Sequence, residues 1–161
     1  PLGRFAQHSN GLLSRLSARS VTEHRLPGRI PGRGALIVRF GTEEAELMVV
    51  LLHLALSQRA RLTQLAYVAE CIGSCEHVIV MGDLNCHSRS PELQYLCAET
   101  GLREPFHDLP TYPSWRPEKN IDHILVSPSL SVESAEVLDA PLSDHLPMTM
   151  AVNLPASLCG R

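Results

Sequence analysis

An aspartate and an asparagine follow an apolar run two residues apart, in the stretch Val78-Ile-Val-Met-Gly-Asp-Leu-Asn85. Side chains two apart in extended backbone point to the same side, so Asp83 and Asn85 are expected to act together. A carboxylate and an amide at the end of a buried strand suit the activation of a water molecule beside a phosphoryl oxygen. An Asx turn that caps the strand explains the same two residues without any chemistry.

Further polar side chains stand at the ends of other predicted strands. His53 ends one strand, Asp122 begins another, and Asp144 and His145 precede the last one. A carboxylate bonded to an imidazole fixes its tautomer and ring direction, which makes Asp122 a candidate partner for His145. Taken singly, each of these residues has a purely structural explanation. A histidine can be buried in the core with its hydrogen bonds satisfied, and an aspartate can cap a turn. His123 alternates with Asp122 and is expected to face the other side of the sheet.

The elements that would position these residues follow from hydrophobic periodicity and turn residues. The predicted strands are residues 35–40, 45–54, 78–81, 121–126, 132–138 and 148–154, with a further short strand at 12–15. Residues 102–120 form a long proline-containing loop of the kind that is usually functional. Paired strands with helices between them indicate a layered α/β sandwich.

Two helices are predicted between these strands. The first covers residues 58–72, with Ser57 as N-cap, and the second begins after Ser90 and ends at Gly101. Arg59 lies in the first turn, where a cation opposes the helix dipole; a functional position and a solvated surface arginine explain it equally well. The apolar face of the first helix is predicted at Leu62, Leu65, Ala66, Ala69 and Ile72.

Composition indicates one globular domain, which we expect over residues 1–155 with a tail at 156–161. A hydrophobic content of 44% and a charged content of 19% exclude a disordered chain. The five cysteines lack Cys-x-x-Cys spacing, which fits neither a disulfide framework nor a zinc ribbon. Because no signal-peptide segment opens the sequence, we expect a cytoplasmic protein or a chain cut from a longer one.

Charge is unevenly distributed along the chain. Residues 1–61 hold nine arginines and four acidic residues, whereas residues 62–161 hold five basic and thirteen acidic residues. An arginine-bearing half suits a phosphate-containing ligand, although a scattered, solvated surface explains most of these charges as well. Tyr112 and Trp115 on the long loop either stack on a base, lipid or sugar, or anchor the loop to the core.

Four short motifs appear in order along the chain. They are Met81-Gly-Asp-Leu-Asn85, Thr111-Tyr-Pro-Ser-Trp115, Ile121-Asp-His-Ile-Leu125 and Ser143-Asp-His-Leu-Pro147. Together they resemble the endonuclease/exonuclease/phosphatase superfamily, the group of deoxyribonuclease I, over roughly residues 10–153. The second motif looks most like the small bacterial branch of that group. The resemblance implies a four-layer α-β-β-α sandwich and divalent-metal-dependent hydrolysis of phosphoesters.

The resemblance also implies roles for individual residues. Asp83 would bind or deprotonate the attacking water, and Asn85 would orient that water and contact the phosphoryl group. His145 would hydrogen-bond a phosphate oxygen while Asp122 orients its ring, and His53 would contact phosphate.

The implied cofactor is Mg²⁺ or Mn²⁺, with Asp144 and Asp83 beside it. Arg59, Tyr112 and Trp115 are the candidate substrate-binding residues. The implied substrate is a phosphoester in a nucleic acid, a phospholipid head group or a small molecule.

The N-terminal part of the family domain is not recognisable in this sequence. Family members begin with a strand ending in Asn and continue to a metal-binding Glu, whereas residues 1–15 resemble a segment after that Glu. Glu23, Glu43 and Glu44 are expected in loops or turns and do not match it. We therefore expect an N-terminally truncated sandwich, completed by a missing segment or by a second chain.

Two other interpretations stay open. One is a catalytically inactive fragment or remnant that keeps the scaffold and binds phosphate or a protein. The other is an unrelated zinc hydrolase using His53, His87, His123 and Asp144, which no His-x-x-x-His spacing supports.

Overall fold

The structure, a computed structural model, describes residues 10–28 and 33–158. Five strands form a mixed sheet in the order β1-β2-β3-β4-β5, in which only β3 and β4 are parallel. The strands are β1 (Ala18–Arg25), β2 (Gly34–Gly41), β3 (Glu46–His53), β4 (His77–Asp83) and β5 (Asp122–Val126).

The remaining elements cover the two faces of this sheet. Helix α1 (Gln58–Ile72) makes the crossover between β3 and β4, and α2 (Pro91–Thr100) follows β4. Strands β6 (Ser131–Val137) and β7 (Met148–Asn153) form an antiparallel second sheet, and a single 3-10 turn covers Ala156–Leu158. In the part of the chain that the structure describes, no helix is long and apolar enough to cross a membrane.

Alternate residues of the central strands pack into two separate hydrophobic clusters. On β3, Met48 and Val50 join the cluster that contains helix residues such as Leu65, whereas Leu47 and Val49 join the cluster on the β6–β7 side. Burial on both faces explains why these strands are continuous apolar runs in the sequence. The described residues thus form three layers of the expected sandwich, and the predicted α/β fold class is confirmed.

Most predicted elements are present, but the prediction for the N-terminal region is wrong. Residues 12–15 do not form a strand. The sequence does not predict strand β1 at Ala18–Arg25, and this strand contains Glu23, which was expected in a loop or turn. This edge strand is mostly exposed, and Val21 keeps 59% of its surface. Polar side chains on an edge strand mask the alternation that identifies half-buried strands.

The predicted apolar face of α1 is also wrong in part. Leu62 is 37% exposed, while Arg61 and Gln64 are buried beside Leu65. The Arg61 Nε donates to Glu92 Oε1 at 2.8 Å, so the two buried charges compensate each other. Periodicity counts apolar residues alone, so it cannot identify a helix face that buries a paired arginine.

The helix ends match the sequence signals to different degrees. At α2, the Ser90 hydroxyl accepts a hydrogen bond from the backbone N–H of Leu93 at 3.3 Å, and Gly101 ends the helix with φ of 71°. Ser57 is the N-cap residue of α1, but among the described residues its side chain makes no capping hydrogen bond. The backbone N–H groups in the first turn of α1 therefore have neither a hydrogen-bond acceptor within the helix nor a side-chain cap from Ser57.

Gly82 allows β3 and β4 to meet at the end of the strand pair. Its φ is 137°, and a Cβ at this position would lie 2.0 Å from the carbonyl oxygen of Leu52. We expect Gly82→Ala to lower the free energy of unfolding by at least about 1–3 kcal/mol, because both the backbone conformation and the contact become strained. Urea unfolding of this variant and of Gly11→Ala, where an added Cβ has no neighbour within 4 Å, checks the prediction. Equal unfolding midpoints for the two variants would contradict it.

Candidate active site

Three of the candidate residues form a row across the central sheet. In the strand register, His53 on β3 pairs with Asp83 on β4, and Asp83 pairs with Asp122 on β5. Because β3 and β4 are parallel and β5 is antiparallel, two strand ends and one strand start meet at the same edge. The structure therefore brings together residues that lie 69 positions apart in the sequence, between His53 and Asp122.

Asp83 is held in place by Asn85 and faces His53. Its Oδ1 accepts the backbone N–H of Asn85 at 2.9 Å, and its Oδ2 lies 3.3 Å from His53 Nε2 and 3.3 Å from Asn85 Nδ2. The first of these bonds is an Asx turn, so the turn and the juxtaposition of the two side chains occur together. Asn85 adopts φ of 51°, which turns its amide back to donate to the Leu54 carbonyl at 3.0 Å.

Asp122 orients His145, as the sequence predicted. The ring Nδ1 of His145 lies 2.7 Å from Asp122 Oδ2, and the hydroxyl of Thr111 donates to the same oxygen at 2.5 Å. Thr111 is fully buried, and its carbonyl accepts the backbone N–H of Leu146 at 2.9 Å. Thr111 therefore fixes both the carboxylate and the loop that carries the histidine, a role that the sequence analysis did not assign.

The long loop and the loop before β7 are clamped together next to His145. Ser114 donates its backbone N–H to the Asp144 carbonyl at 2.8 Å and its hydroxyl to the Ser143 carbonyl at 2.6 Å. The Tyr112 ring lies 4.9 Å from the His145 ring, centroid to centroid. Trp115 is 74% exposed, so it does not anchor the loop to the core.

The surroundings raise the pKa values of both candidate catalytic groups. Burial raises the pKa of Asp83 most strongly, followed by the charge of Asp122 in the same direction, against the Asn85 hydrogen bond and the two histidines. For His145, burial acts to lower the pKa, but the hydrogen bond to Asp122 and the charges of Asp122, Asp83 and Asp144 outweigh it. Asp83 is thus a stronger base than a solvated carboxylate, and His145 is more readily protonated.

The row opens into a cleft of about 440 Å³. Asn10 lines this cleft together with His53, Asp83 and Asp122. The Asn10 amide donates to the carbonyls of Gly34 at 2.8 Å and Leu51 at 3.2 Å, which ties the start of the described chain to the sheet. The row therefore faces a space large enough for a small ligand.

A second polar network lies on the opposite face of β5. His123 is buried, with Nδ1 at 2.7 Å from Glu104 Oε1 and Nε2 at 2.7 Å from the Cys86 carbonyl. This confirms that His123 faces away from Asp122. His87 bonds Asn120 Oδ1 at 2.9 Å. The structure therefore does not gather the four residues of the zinc hydrolase hypothesis.

Glu104 makes the stability of this network depend on pH. Burial acts to raise the pKa of Glu104, but the hydrogen bond and charge of His123, with bonds from His107 and Ser88, hold it below its usual 4.5. The ionised carboxylate therefore stabilises the fold above the unfolded-state pKa, and this contribution is lost as pH falls through the folded-state pKa.

We expect Glu104→Gln to lower the free energy of unfolding at neutral pH by about 1–3 kcal/mol, because a charged hydrogen-bond acceptor is lost. The variant should also lose less stability than the parent as the pH falls from 4.5 through the lower folded-state pKa of Glu104, because the parent carboxylate becomes protonated over that range. Urea midpoints measured across the acid range check both effects. If the urea midpoints of parent and variant decreased equally as the pH falls, Glu104 would not be the source of this pH dependence.

Arg59 does not join the row. It is exposed in the first turn of α1 and lines a different cavity, whose lining residues do not include His53, Asp83 or Asp122. Of the three candidate substrate-binding residues, Tyr112 contacts His145, the hydrogen-bond partner of Asp122.

The described residues do not by themselves build a metal centre. Among them, no group of three or more His, Cys, Asp or Glu side chains is placed to hold a metal ion. Asp83 directs its carboxylate oxygens to Asn85 and His53, and Asp144 lies on an exposed loop. The donor set therefore does not fit a complete protein-made site.

Comparisons with solved structures show the same fold. A mannosyl-6-phosphatase from Bacteroides thetaiotaomicron superposes with a TM-score of 0.73 at 19% identity, over 86% of this chain and 67% of that one. The catalytic domain of human nocturnin with bound sulfate gives a TM-score of 0.65 at 20% identity, over 84% of this chain and 60% of that one. Identities this low show the fold alone.

The inositol polyphosphate 5-phosphatase domain of SPsynaptojanin, in complex with inositol (1,4)-bisphosphate and calcium, gives a TM-score of 0.63 at 20% identity. It is matched over 81% of this chain and 52% of that one. The chain spans about two thirds of the length of the first bacterial neighbours, or 65–67%. No curated protein matches the sequence. The family model of the Endonuclease/Exonuclease/phosphatase family matches residues 2–145, and the chain belongs to that family.

Proposed function

We propose that this chain hydrolyses phosphoester bonds by direct attack of a water molecule on phosphorus. The family to which it belongs comprises phosphoesterase-type hydrolases, including nucleases and phosphatases. The observation that supports the proposal most strongly is the row of His53, Asp83 and Asp122, with His145 bonded to Asp122. Positioning and charge stabilisation, which such a row supplies, account for most of the catalysis in phosphoryl transfer.

Asp83 is proposed as the general base. Its raised pKa favours acceptance of a proton from a water molecule bound at its carboxylate. Asn85, whose backbone N–H and amide both lie against Asp83, would orient that water and contact the phosphoryl group.

His145 and His53 are proposed to contact phosphate oxygens. The Nδ1 of His145 is engaged by Asp122, so Nε2 is the nitrogen that would donate to a non-bridging oxygen. A raised pKa keeps more of this ring protonated and able to stabilise negative charge. His53 Nε2 lies 3.3 Å from Asp83 Oδ2, at the opposite side of the base.

A divalent cation, Mg²⁺ or Mn²⁺, is proposed as cofactor because its charge would offset that of the phosphoryl group. Asp83 and Asp144 are the proposed ligands, with water and substrate oxygens completing the shell, as is common for Mg²⁺. A further carboxylate from a second copy of the chain is proposed to add to this donor set.

The substrate is proposed to be a phosphoester in a nucleic acid, a phospholipid head group or a small molecule. Tyr112, next to His145, and the exposed Trp115 are the proposed contacts for the organic part of the substrate. Arg59 is proposed to contact the substrate from its separate cavity.

A second candidate function is a non-catalytic module of the same fold that binds phosphate. The lack of a three-ligand metal group among the described residues favours it. It predicts binding of inorganic phosphate in the cleft without hydrolysis at any metal concentration.

Hydrolysis of a chromogenic phosphodiester and a chromogenic phosphomonoester, with EDTA, Mg²⁺ or Mn²⁺, tests the proposal. We expect metal-dependent turnover by the parent chain and a decrease of about 10²–10³-fold in His145→Ala, because a donor to the developing charge is lost. His107→Ala, which removes an exposed histidine at 3.0 Å from Glu104, is the matched control and should leave the rate unchanged. Phosphate binding by a folded chain that never turns over would favour the non-catalytic module.

A further inference from the structure

His123 directly follows Asp122 on β5, but its ring lies on the opposite face of the sheet and is fully buried. Its Nδ1 lies 2.7 Å from Glu104 Oε1, and its Nε2 lies 2.7 Å from the carbonyl oxygen of Cys86. An ionised carboxylate and a carbonyl oxygen can only accept hydrogen bonds, so both ring nitrogens must donate. The ring is therefore a buried imidazolium, and the charge of Glu104 compensates it.

The Cys86 carbonyl that this ring holds directly follows Asn85. Asn85 adopts φ of 51°, a left-handed conformation that is unfavourable for most residues other than glycine. On the other side of Asn85, the backbone N–H of Leu84 donates to the Ile121 carbonyl at 2.8 Å. Asn85 is thus fixed between two hydrogen bonds to β5, made by the residues that immediately precede and follow Asp122.

Glu104 holds the same loop at a second point. The carboxylate oxygen that faces His123 Nδ1 also accepts the hydroxyl of Ser88 at 3.1 Å. The Ser88 oxygen in turn accepts the side-chain amide of Asn120. The chain from Cys86 to Ser88 therefore has two buried polar anchors on one carboxylate. A buried network whose members are satisfied favours a single arrangement of the groups it connects.

Asn85 connects this fixed loop to the proposed general base. Its backbone N–H donates to Asp83 Oδ1 at 2.9 Å, and its Nδ2 lies 3.3 Å from Asp83 Oδ2. A change of φ at Asn85 would alter the position of its side-chain amide relative to this carboxylate.

We propose that His123 is a positioning residue, which holds Asn85 against Asp83 through its hydrogen bond to the Cys86 carbonyl. That this arrangement serves phosphoester hydrolysis rests on the proposed function. That His123 sets the conformation of Asn85 does not.

Two amide variants of His123 separate its two hydrogen bonds. A glutamine side chain places an N–H donor near the position of Nε2, whereas an asparagine side chain places one near the position of Nδ1. His123→Gln therefore keeps a donor for Cys86 and His123→Asn does not, although both lose the charge that faces Glu104. His77→Gln is the control, because His77 is also buried and bonds Ser129 at 2.8 Å, at the opposite end of β4 from Asp83.

Hydrogen exchange of the Asn85 backbone N–H, measured by nuclear magnetic resonance in EDTA, tests the positioning role. We expect exchange about tenfold faster in His123→Asn than in the parent, since the loop loses one hydrogen bond. His123→Gln and His77→Gln should exchange like the parent. The amide of Val50, a fully buried residue of β3, reports global unfolding in the same spectra. Equal exchange at Asn85 in the two His123 variants, relative to Val50, would overturn the proposal.

The parent chain provides a second test, which does not depend on the folding of any variant. Its ¹H–¹⁵N spectrum should show two N–H protons on the His123 ring, both protected from exchange with solvent, because both nitrogens donate to buried acceptors. A ring with a single N–H proton would overturn the assignment.

Turnover of the chromogenic phosphodiester connects this position to catalysis. We expect kcat to be about 10–100-fold lower in His123→Asn, with a much smaller change in KM, since buried partners that orient a site residue usually contribute this much. His123→Gln should recover most of kcat. Equal kcat in the two variants would remove His123 from the positioning of Asp83. Because hydrogen exchange needs no turnover, a difference at Asn85 in a chain without hydrolytic activity would contradict the proposed function alone.

Discussion

Asp83→Asn is expected to lower kcat for phosphoester hydrolysis by about 10²–10⁴-fold, because an amide cannot accept the proton of the attacking water. The substitution preserves the shape of the side chain and the Oδ1 acceptor for the Asn85 N–H, which lies at 2.9 Å. The fold should therefore be kept, and the loss should appear in kcat at saturating substrate and metal. Thermal unfolding of both proteins verifies that the variant is folded.

Asp108→Asn is the matched control for this prediction. Asp108 is an exposed aspartate whose carboxylate lies 3.4 Å from Arg89, outside the catalytic cleft. Its replacement should leave kcat within about twofold of the parent, because an exposed ion pair contributes little. An Asp83→Asn variant as active as Asp108→Asn would remove Asp83 from the role of general base.

The second large effect concerns stability and the buried ion pair between the two helices. Glu92 is 1% exposed, and it accepts hydrogen bonds from Arg61 at 2.8 Å and from Gln58 at 3.1 Å. Burial acts to raise the pKa of Glu92, but the bonds and charge of Arg61 hold it below its usual value. Replacing Arg61 by Met leaves the carboxylate buried without its charge partner and should cost about 3–5 kcal/mol of unfolding free energy.

Urea unfolding of a double-mutant cycle measures this effect. Arg61→Met/Glu92→Leu should recover most of the loss, because an apolar pair of similar volume replaces the ion pair. Arg89→Met removes an exposed ion pair and should change stability by less than about 1 kcal/mol. Additive losses in the double variant would show that the two residues do not act as a pair.

The loss of Arg61 should also disturb the connection between β3 and α1. Arg61 Nη1 donates to the carbonyls of Ala55 and Leu56, directly after the strand that ends at His53. The ion pair thus helps to fix the chain that directly follows the strand end at His53.

Much of the fold was readable from local signals in the sequence. Local signals predict the β2–β3 hairpin, both helices and the strand before Asp83. Each is an apolar run bounded by glycine, serine or proline, and these boundary residues affect only the few residues around them. Helix α1 has the predicted bounds 58–72. Strand β1 was not readable, because an exposed edge strand such as Ala18–Arg25 has little apolar alternation to detect.

The sequence predicts that the candidate site residues lie at strand ends, but it does not predict that they form a row. The order of motifs predicted which residues matter, but the pairing of His53 with Asp83 and of Asp83 with Asp122 is set by strand register. Register depends on contacts between distant segments, which one sequence does not specify.

Residues that act through buried polar bonds were missed for a related reason. Thr111 and Ser114 belong to a motif that the sequence analysis quoted, yet nothing in their spacing shows that they clamp Asp122 and the His145 loop. Likewise, polarity alone predicts that Arg61 and Gln64 are exposed, whereas both side chains are buried and hydrogen-bonded. Side chains with satisfied hydrogen bonds are common exceptions to that rule.

Hydrolysis of a phosphodiester in ¹⁸O-labelled water, followed by mass spectrometry of both products, tests the central claim most directly. If a water molecule held at Asp83 attacks phosphorus, one solvent oxygen should appear in the phosphate-bearing product and none in the released alcohol. The label should enter in the presence of Mg²⁺ or Mn²⁺, and Asp83→Asn should reduce it in proportion to kcat. Label in the alcohol, or no product from a folded chain at any metal concentration, would contradict the account.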